Sequence, residues 1–214
     1  MIKANWTDTA EKRLRFLADF LAPLNLSPHA VTIVGVTISL GGAVAFALGH
    51  LFLGALWVVL GGICDLFDGV IARRQDQVST FGGLLDSVAD RVVDISLLLG
   101  LAFHFGSVDR PFWVLMSYVG LVGSVLVSYV KARGEVEVSN LGVGFLERGE
   151  RIGLLALGGF FGVMPLALTL VAVGSWLTVF QRMALAYAKM RELDCSQVEK
   201  PADQSAKIEE DADE

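Results

Sequence analysis

Residues 31–64 read VTIVGVTISLGGAVAFALGHLFLGALWVVLGGIC and contain no Asp, Glu, Lys or Arg. A helix that crosses a bilayer needs about 20 predominantly apolar residues. This run therefore holds most of two such helices, with a break at Gly49 and His50. Residues 95–108, 111–130 and 152–181 are also uncharged, and Met164 and Pro165 interrupt the last of them. Proline there favours a turn or a helix start. The pattern predicts an all-α integral membrane protein with six transmembrane helices, near 31–49, 51–74, 80–104, 111–132, 147–163 and 166–189.

The composition agrees. The 214 residues are 54% hydrophobic and 19% charged, against about 45–50% and 25% in soluble domains. The net charge of -6 argues against a nucleic-acid partner. Residues 192–214, whose nine acids and two lysines sum to -7, account for more than all of it. That segment, polar from residue 191 on, reads as a disordered acidic tail. Cys64 in an apolar run and Cys195 in the tail exclude a disulfide framework.

Residues 3–19 lack a continuous apolar stretch and do not read as a cleaved signal peptide. Trp6, Leu14, Leu17, Phe20 and Leu21, with Lys12, Arg13 and Arg15 among them, suit an amphipathic helix over 1–24 lying on the membrane. A helix packed on the bundle would use the same face. With six spans, one side receives Lys12, Arg13, Arg15, Arg73, Arg74, Lys131, Arg133, Arg148, Arg151, Arg182, Lys189 and Arg191, and the other only Arg110. Positive residues mark the cytoplasmic side. Both termini and the loops near 73–80 and 132–147 are expected there, in a multi-pass protein of the cell membrane.

Ionisable residues within spans are costly and point to function. Asp65 and Asp68 end the second predicted helix, and Asp86, Asp90 and Asp94 begin the third. Spacings of three and four residues put each set on one helix face. A short connection brings the two faces together. Carboxylates this close need protonation or a cation. Oxygen ligands suit Mg²⁺, Mn²⁺ or Ca²⁺, and four carboxylates could hold one or two ions, an arrangement known for displacement at phosphorus. The bland reading is a hairpin neutralised by Arg73, Arg74 and Arg91. Gly69 and Gly82 would allow a ligand close to the backbone, and Arg73 suits a phosphate oxygen.

Taken together, Asp65-Leu-Phe-Asp68-Gly69-Val-Ile-Ala72-Arg73, then Gly82, Asp86 and Asp90 at fixed spacing, resemble the signature of the CDP-alcohol phosphotransferase family. The resemblance covers roughly residues 25–190. It implies a membrane enzyme that takes a CDP-linked lipid, usually CDP-diacylglycerol, and a divalent metal, Mg²⁺ or Mn²⁺, as a pair of ions. An alcohol attacks the β-phosphorus and CMP leaves. By the motif, Asp65, Asp68, Asp86 and Asp90 are the metal ligands, and Asp90 is also the general base. Asp65, Asp68, Gly69, Ala72, Arg73 and Gly82 correspond to CDP-binding positions. Thr32, in a segment similar to one near the family's nucleotide site, joins them. The family also implies a homodimer.

For the acceptor, Ser128, Lys131, Arg133, Arg151 and Arg182 gather at the same edge and suit a dianionic phosphate. Each alone reads as a positive-inside anchor. These segments resemble the subgroup making phosphatidylinositol phosphate or its archaeal ether-lipid counterpart, which implies inositol 1-phosphate as acceptor. Gly149 departs from that subgroup's usual proline. Asp94 would accept hydrogen bonds from the polyol or pair with Arg91. Glycerol 3-phosphate is the competing acceptor, as in phosphatidylglycerophosphate-type synthases. A divalent-cation transporter is the alternative from another class.

Overall fold

The computed structural model describes residues 27–74 and 79–210, with side chains at 27, 29–71 and 79–194. The surface helix expected over 1–24 lies outside these residues, as do the side chains of Ala72 and Arg73. Six helices and no strand occur among the described residues: α1 (Pro28–Ala47), α2 (Leu51–Arg74), α3 (Thr80–Ser107), α4 (Pro111–Gly134), α5 (Arg148–Phe160) and α6 (Met164–Glu210).

Local chemistry sets the helix ends. The Ser27 hydroxyl accepts from the Ala30 N–H, with Pro28 in the first turn. Ser79 does the same for Gly82 at the start of α3. α4 begins at a proline. Glu147 and Glu150 form a reciprocal capping box at the start of α5. Gly49 (φ +82°) and Gly162 (φ +68°) turn the chain after α1 and α5, a backbone conformation that costs glycine least.

α1 packs on α2 and α3, α4 on α3 and α6, and α5 on α2 and α6. Phe46, Val58, Leu97, Leu101, Leu168 and Val171 belong to one core where these helices meet. The close approach of α1 and α3 needs Gly100, where a Cβ would sit 2.3 Å from the Ala43 carbonyl oxygen. Phe52, Leu56, Leu60, Phe103, Phe112, Leu166 and Phe180 point outward and are exposed. An apolar exterior over a packed interior is what a bilayer solvates.

Among the described residues, four of the six helices are long and apolar enough to cross a membrane by length and composition: those at His29–Ala47, Leu51–Ile71, Pro111–Gly134 and within Met164–Asp194. α3 has 28 residues, but Asp86, Asp90, Arg91 and Asp94 interrupt it between its start and its middle. α5 has 13 residues, about 20 Å at 1.5 Å per residue, short of a hydrocarbon core of about 30 Å. The last helix also runs on to Glu210, beyond residue 189 and into the segment expected to be disordered. Residues 190–199 are mostly fair helix formers without glycine, so local propensity continues the helix where bulk composition suggested none.

Candidate active site

The end of α2 faces the beginning of α3. Asp65, Asp68 and Asp86 each offer a carboxylate oxygen, and these atoms lie within 4.8 Å of one another. Asp68 is buried, and the Thr32 hydroxyl of α1 donates to its Oδ2 at 2.5 Å. Three oxygens at this separation, with like charges and limited solvent, fit a hard divalent cation. Among the described residues, a Cβ at Gly69 would meet nothing within 4 Å, which leaves room for a ligand beside Asp68. Gly82 instead sits in the capping turn of α3, against Ser79 and the His29 ring.

Asp90 and Asp94 lie one and two turns further along α3 and meet arginines from α5. Arg148 Nη1 is 2.8 Å from Asp65 Oδ2 and 3.0 Å from Asp90 Oδ1. Arg151 Nη2 donates to Asp94 Oδ2 at 2.7 Å, and both residues are buried. The spacing of three residues puts Arg148 and Arg151 on one face of α5, matched to the four-residue spacing of the aspartates. Among the described residues, Asp90 Oδ1, Asp94 Oδ1, Arg148 Nε and Arg151 Nε are buried without a hydrogen bond, although Asp90 Oδ1 keeps its ion contact with Arg148. Buried polar atoms of this kind leave the junction with capacity for a polar ligand.

Beside Asp90 and Asp94 opens a polar chamber of about 180 Å³, bounded by Ser128 and Lys131 of α4, Glu147, Arg148 and Arg151 around the start of α5, and Arg182 of α6. Arg182 also holds the chamber together. Its Nε donates to the Val143 carbonyl and its Nη1 to the Val127 carbonyl, each at 2.7 Å. Further bonds fasten the 135–147 connection to α6: Leu146 N–H to Thr178, Phe145 N–H to Gln181, and Lys189 Nζ to the Ser139 carbonyl. On the other side of Arg148, a cavity of about 290 Å³ runs between α2 and α5, lined by Asp65 and by apolar residues such as Val58, Ile63, Leu66 and Ile152.

Most residues singled out in the sequence therefore come together, in two groups. Asp65, Asp68, Asp86 and Thr32 form one; Asp90, Asp94, Ser128, Lys131, Arg151 and Arg182 line or support the other. Arg133 is not among the chamber's residues. It makes an exposed pair with Glu137 at 3.0 Å, because it lies two residues beyond Lys131 and so on another face of α4. Arg91 is a minor partner for the aspartates: it donates to the Ser87 carbonyl of its own helix and stays 4.0 Å from Asp90. Asp94 pairs with Arg151, not Arg91. The residue that sequence reasoning passed over is Arg148. Its signal was available, three positions before Arg151 on the same helix face.

The family model for CDP-alcohol phosphatidyltransferases matches residues 25–190. An archaetidylinositol phosphate synthase of Pyrococcus horikoshii is 38% identical over 164 residues, covering 76% of this chain and 85% of that protein. The crystal structure of Mycobacterium tuberculosis phosphatidylinositol phosphate synthase with CDP-DAG bound superimposes with a TM-score of 0.73 at 33% identity, over 81% of this chain and 93% of that one. The same enzyme in complex with manganese and citrate gives a TM-score of 0.73, at 33% identity, over 80% and 87% of the two chains.

Proposed function

Because this chain belongs to the CDP-alcohol phosphatidyltransferase family, we propose that it transfers a phosphatidyl-type group from a CDP-linked lipid to a hydroxyl of inositol 1-phosphate, with release of CMP. One observation carries this reading: Asp86 belongs to a carboxylate cluster fit for metal, and Asp90, one turn further along α3, lines a chamber fit for a phosphorylated acceptor. Similarity to the two inositol-phosphate synthases supports the choice of acceptor.

The donor half is α1–α3. Asp65, Asp68 and Asp86, completed by Asp90, would hold Mg²⁺ or Mn²⁺, in one or two positions; when bound, such ions neutralise the diphosphate and favour displacement at phosphorus. Thr32 fixes the orientation of the Asp68 carboxylate through its hydrogen bond. Gly69 leaves room for the nucleotide, with Gly82, Ala72 and Arg73 as its further contacts. The apolar cavity beside Asp65 suits a lipid tail.

The acceptor half is α4–α6. Lys131, Arg151 and the Ser128 hydroxyl bind the acceptor's phosphate, and Arg182 adds charge while bracing the wall. This orients a hydroxyl toward Asp90, which takes its proton. The hydroxyl oxygen forms a bond to the β-phosphorus as the bond to the CMP oxygen breaks, and the electron pair leaves with CMP. Arg133 lies outside this arrangement. Asp94 serves chiefly to hold Arg151.

The same reading includes six membrane-crossing helices, with α3 and the short α5 crossing as parts of the bundle. The charge bias supports a cytoplasmic active site and termini, and the family supports a homodimer. Cysteine accessibility in sealed vesicles and cross-linking test these two points. Membership of a transferase family sets aside cation transport as the activity.

Purified protein supplied with CDP-diacylglycerol, Mn²⁺ and inositol 1-phosphate should release CMP. Release with glycerol 3-phosphate alone would move the chain to the competing acceptor. Asp90→Asn should lower the rate by about 10²–10⁴-fold, the usual worth of a general base, without a matching loss of thermal stability.

A further inference from the structure

Arg148 stands where the two halves of the site touch. It lines both the polar chamber and the apolar cavity. One nitrogen, Nη1, reaches Asp65 on the donor side and Asp90 on the acceptor side, at 2.8 and 3.0 Å. Both carboxylates belong to the proposed metal set, so the guanidinium and a divalent cation compete for the same two oxygen donors. A divalent cation held by these carboxylates would repel Arg148 in a partly buried site, where charges are weakly screened.

The structure also offers a place for the side chain to go. Arg148 Nε is buried without a hydrogen bond and lies 3.9 Å from Asp94 Oδ1, which is itself unsatisfied. Asp94 borders the polar chamber together with Lys131 and Arg151. Arg148 itself already borders that chamber, so the side chain needs only a short swing to reach it.

We infer that Arg148 is a built-in counter-cation, occupying the carboxylates Asp65 and Asp90 until metal displaces it toward the acceptor chamber, where it joins the groups that bind phosphate. The inference rests on the proposed metal-dependent transfer. It makes metal loading and acceptor binding favour each other, and by linkage each must affect the other by the same factor. Arg148 is a positioning residue in this scheme: it readies the chamber for the acceptor only once the donor side carries its metal.

The test needs no turnover. Mn²⁺ binding to the full chain in detergent is followed through the electron paramagnetic resonance of free Mn²⁺. Arg148→Met should bind the ion about tenfold tighter than wild type, the scale of one lost charge-assisted competitor. Arg148→Lys should fall between them. Damage to the fold weakens binding, so tighter binding in the variants cannot arise from it. Affinity equal to or below wild type in both variants overturns the proposal while leaving the transferase reading intact. Failure of wild type to bind Mn²⁺ overturns both. Calorimetry with inositol 1-phosphate should show at least about fivefold tighter binding when Mn²⁺ is present in wild type, and no such dependence in Arg148→Met. Coupling that survives in the variant overturns the displacement.

Discussion

The proposed donor and acceptor halves of the site are built in different ways. The donor half comes from one hairpin: Asp65, Asp68 and Asp86 converge because helix periodicity and a short connection leave them few other places to go. The acceptor half is assembled from the ends of α4, α5 and α6, and its wall is held by Arg182 reaching the Val127 and Val143 carbonyls. The first is a local motif; the second depends on long-range packing. Local sites are tuned by single residues, whereas assembled sites fail when their supports do.

Substitutions in the two halves should therefore fail differently. The largest effect is expected at Asp86, where Asn removes one of the three clustered carboxylates. Mn²⁺ affinity and CMP release should each fall more than about 100-fold, beyond what loss of an outer-shell partner usually costs, with the melting temperature nearly unchanged. A large drop in stability instead would erase the distinction between the halves.

Next comes Arg151→Met, which leaves Asp94 buried without its 2.7 Å partner. Here stability should suffer, by about 3 kcal/mol in detergent unfolding, together with a raised KM for the acceptor. Adding Asp94→Leu should recover most of the stability and none of the acceptor affinity. Recovery of both would remove Arg151 from the acceptor site.

The smallest effect belongs to Arg133→Ala. Its pair with Glu137 is more than half exposed on both sides, and exposed pairs contribute under about 1 kcal/mol. Activity should stay within twofold of wild type, roughly the noise implied by so weak an interaction. A raised acceptor KM would return Arg133 to the chamber.

Much of this was legible beforehand. The charge-free runs marked the apolar helices, and Gly49, His50, Met164 and Pro165 marked breaks between them. The spacing of five aspartates predicted a carboxylate cluster on two facing helices. What stayed hidden were choices among equivalent charges. Arg91 and Arg148 are both arginines near aspartates; only the packing of α5 against α2 brings Arg148 to Asp65 and Asp90, while Arg91 turns to its own helix. Lys131 and Arg133 are two residues apart, yet one reaches the chamber and the other solvent.

The sequence by itself determined the class of protein, the family and the carboxylate motif, because hydropathy and helical periodicity act over short distances along the chain. The tertiary structure alone decided which cation meets which carboxylate. Ion pairing depends on separations of a few ångströms between residues tens of positions apart, as with Asp65 and Arg148, and only the packed bundle sets those.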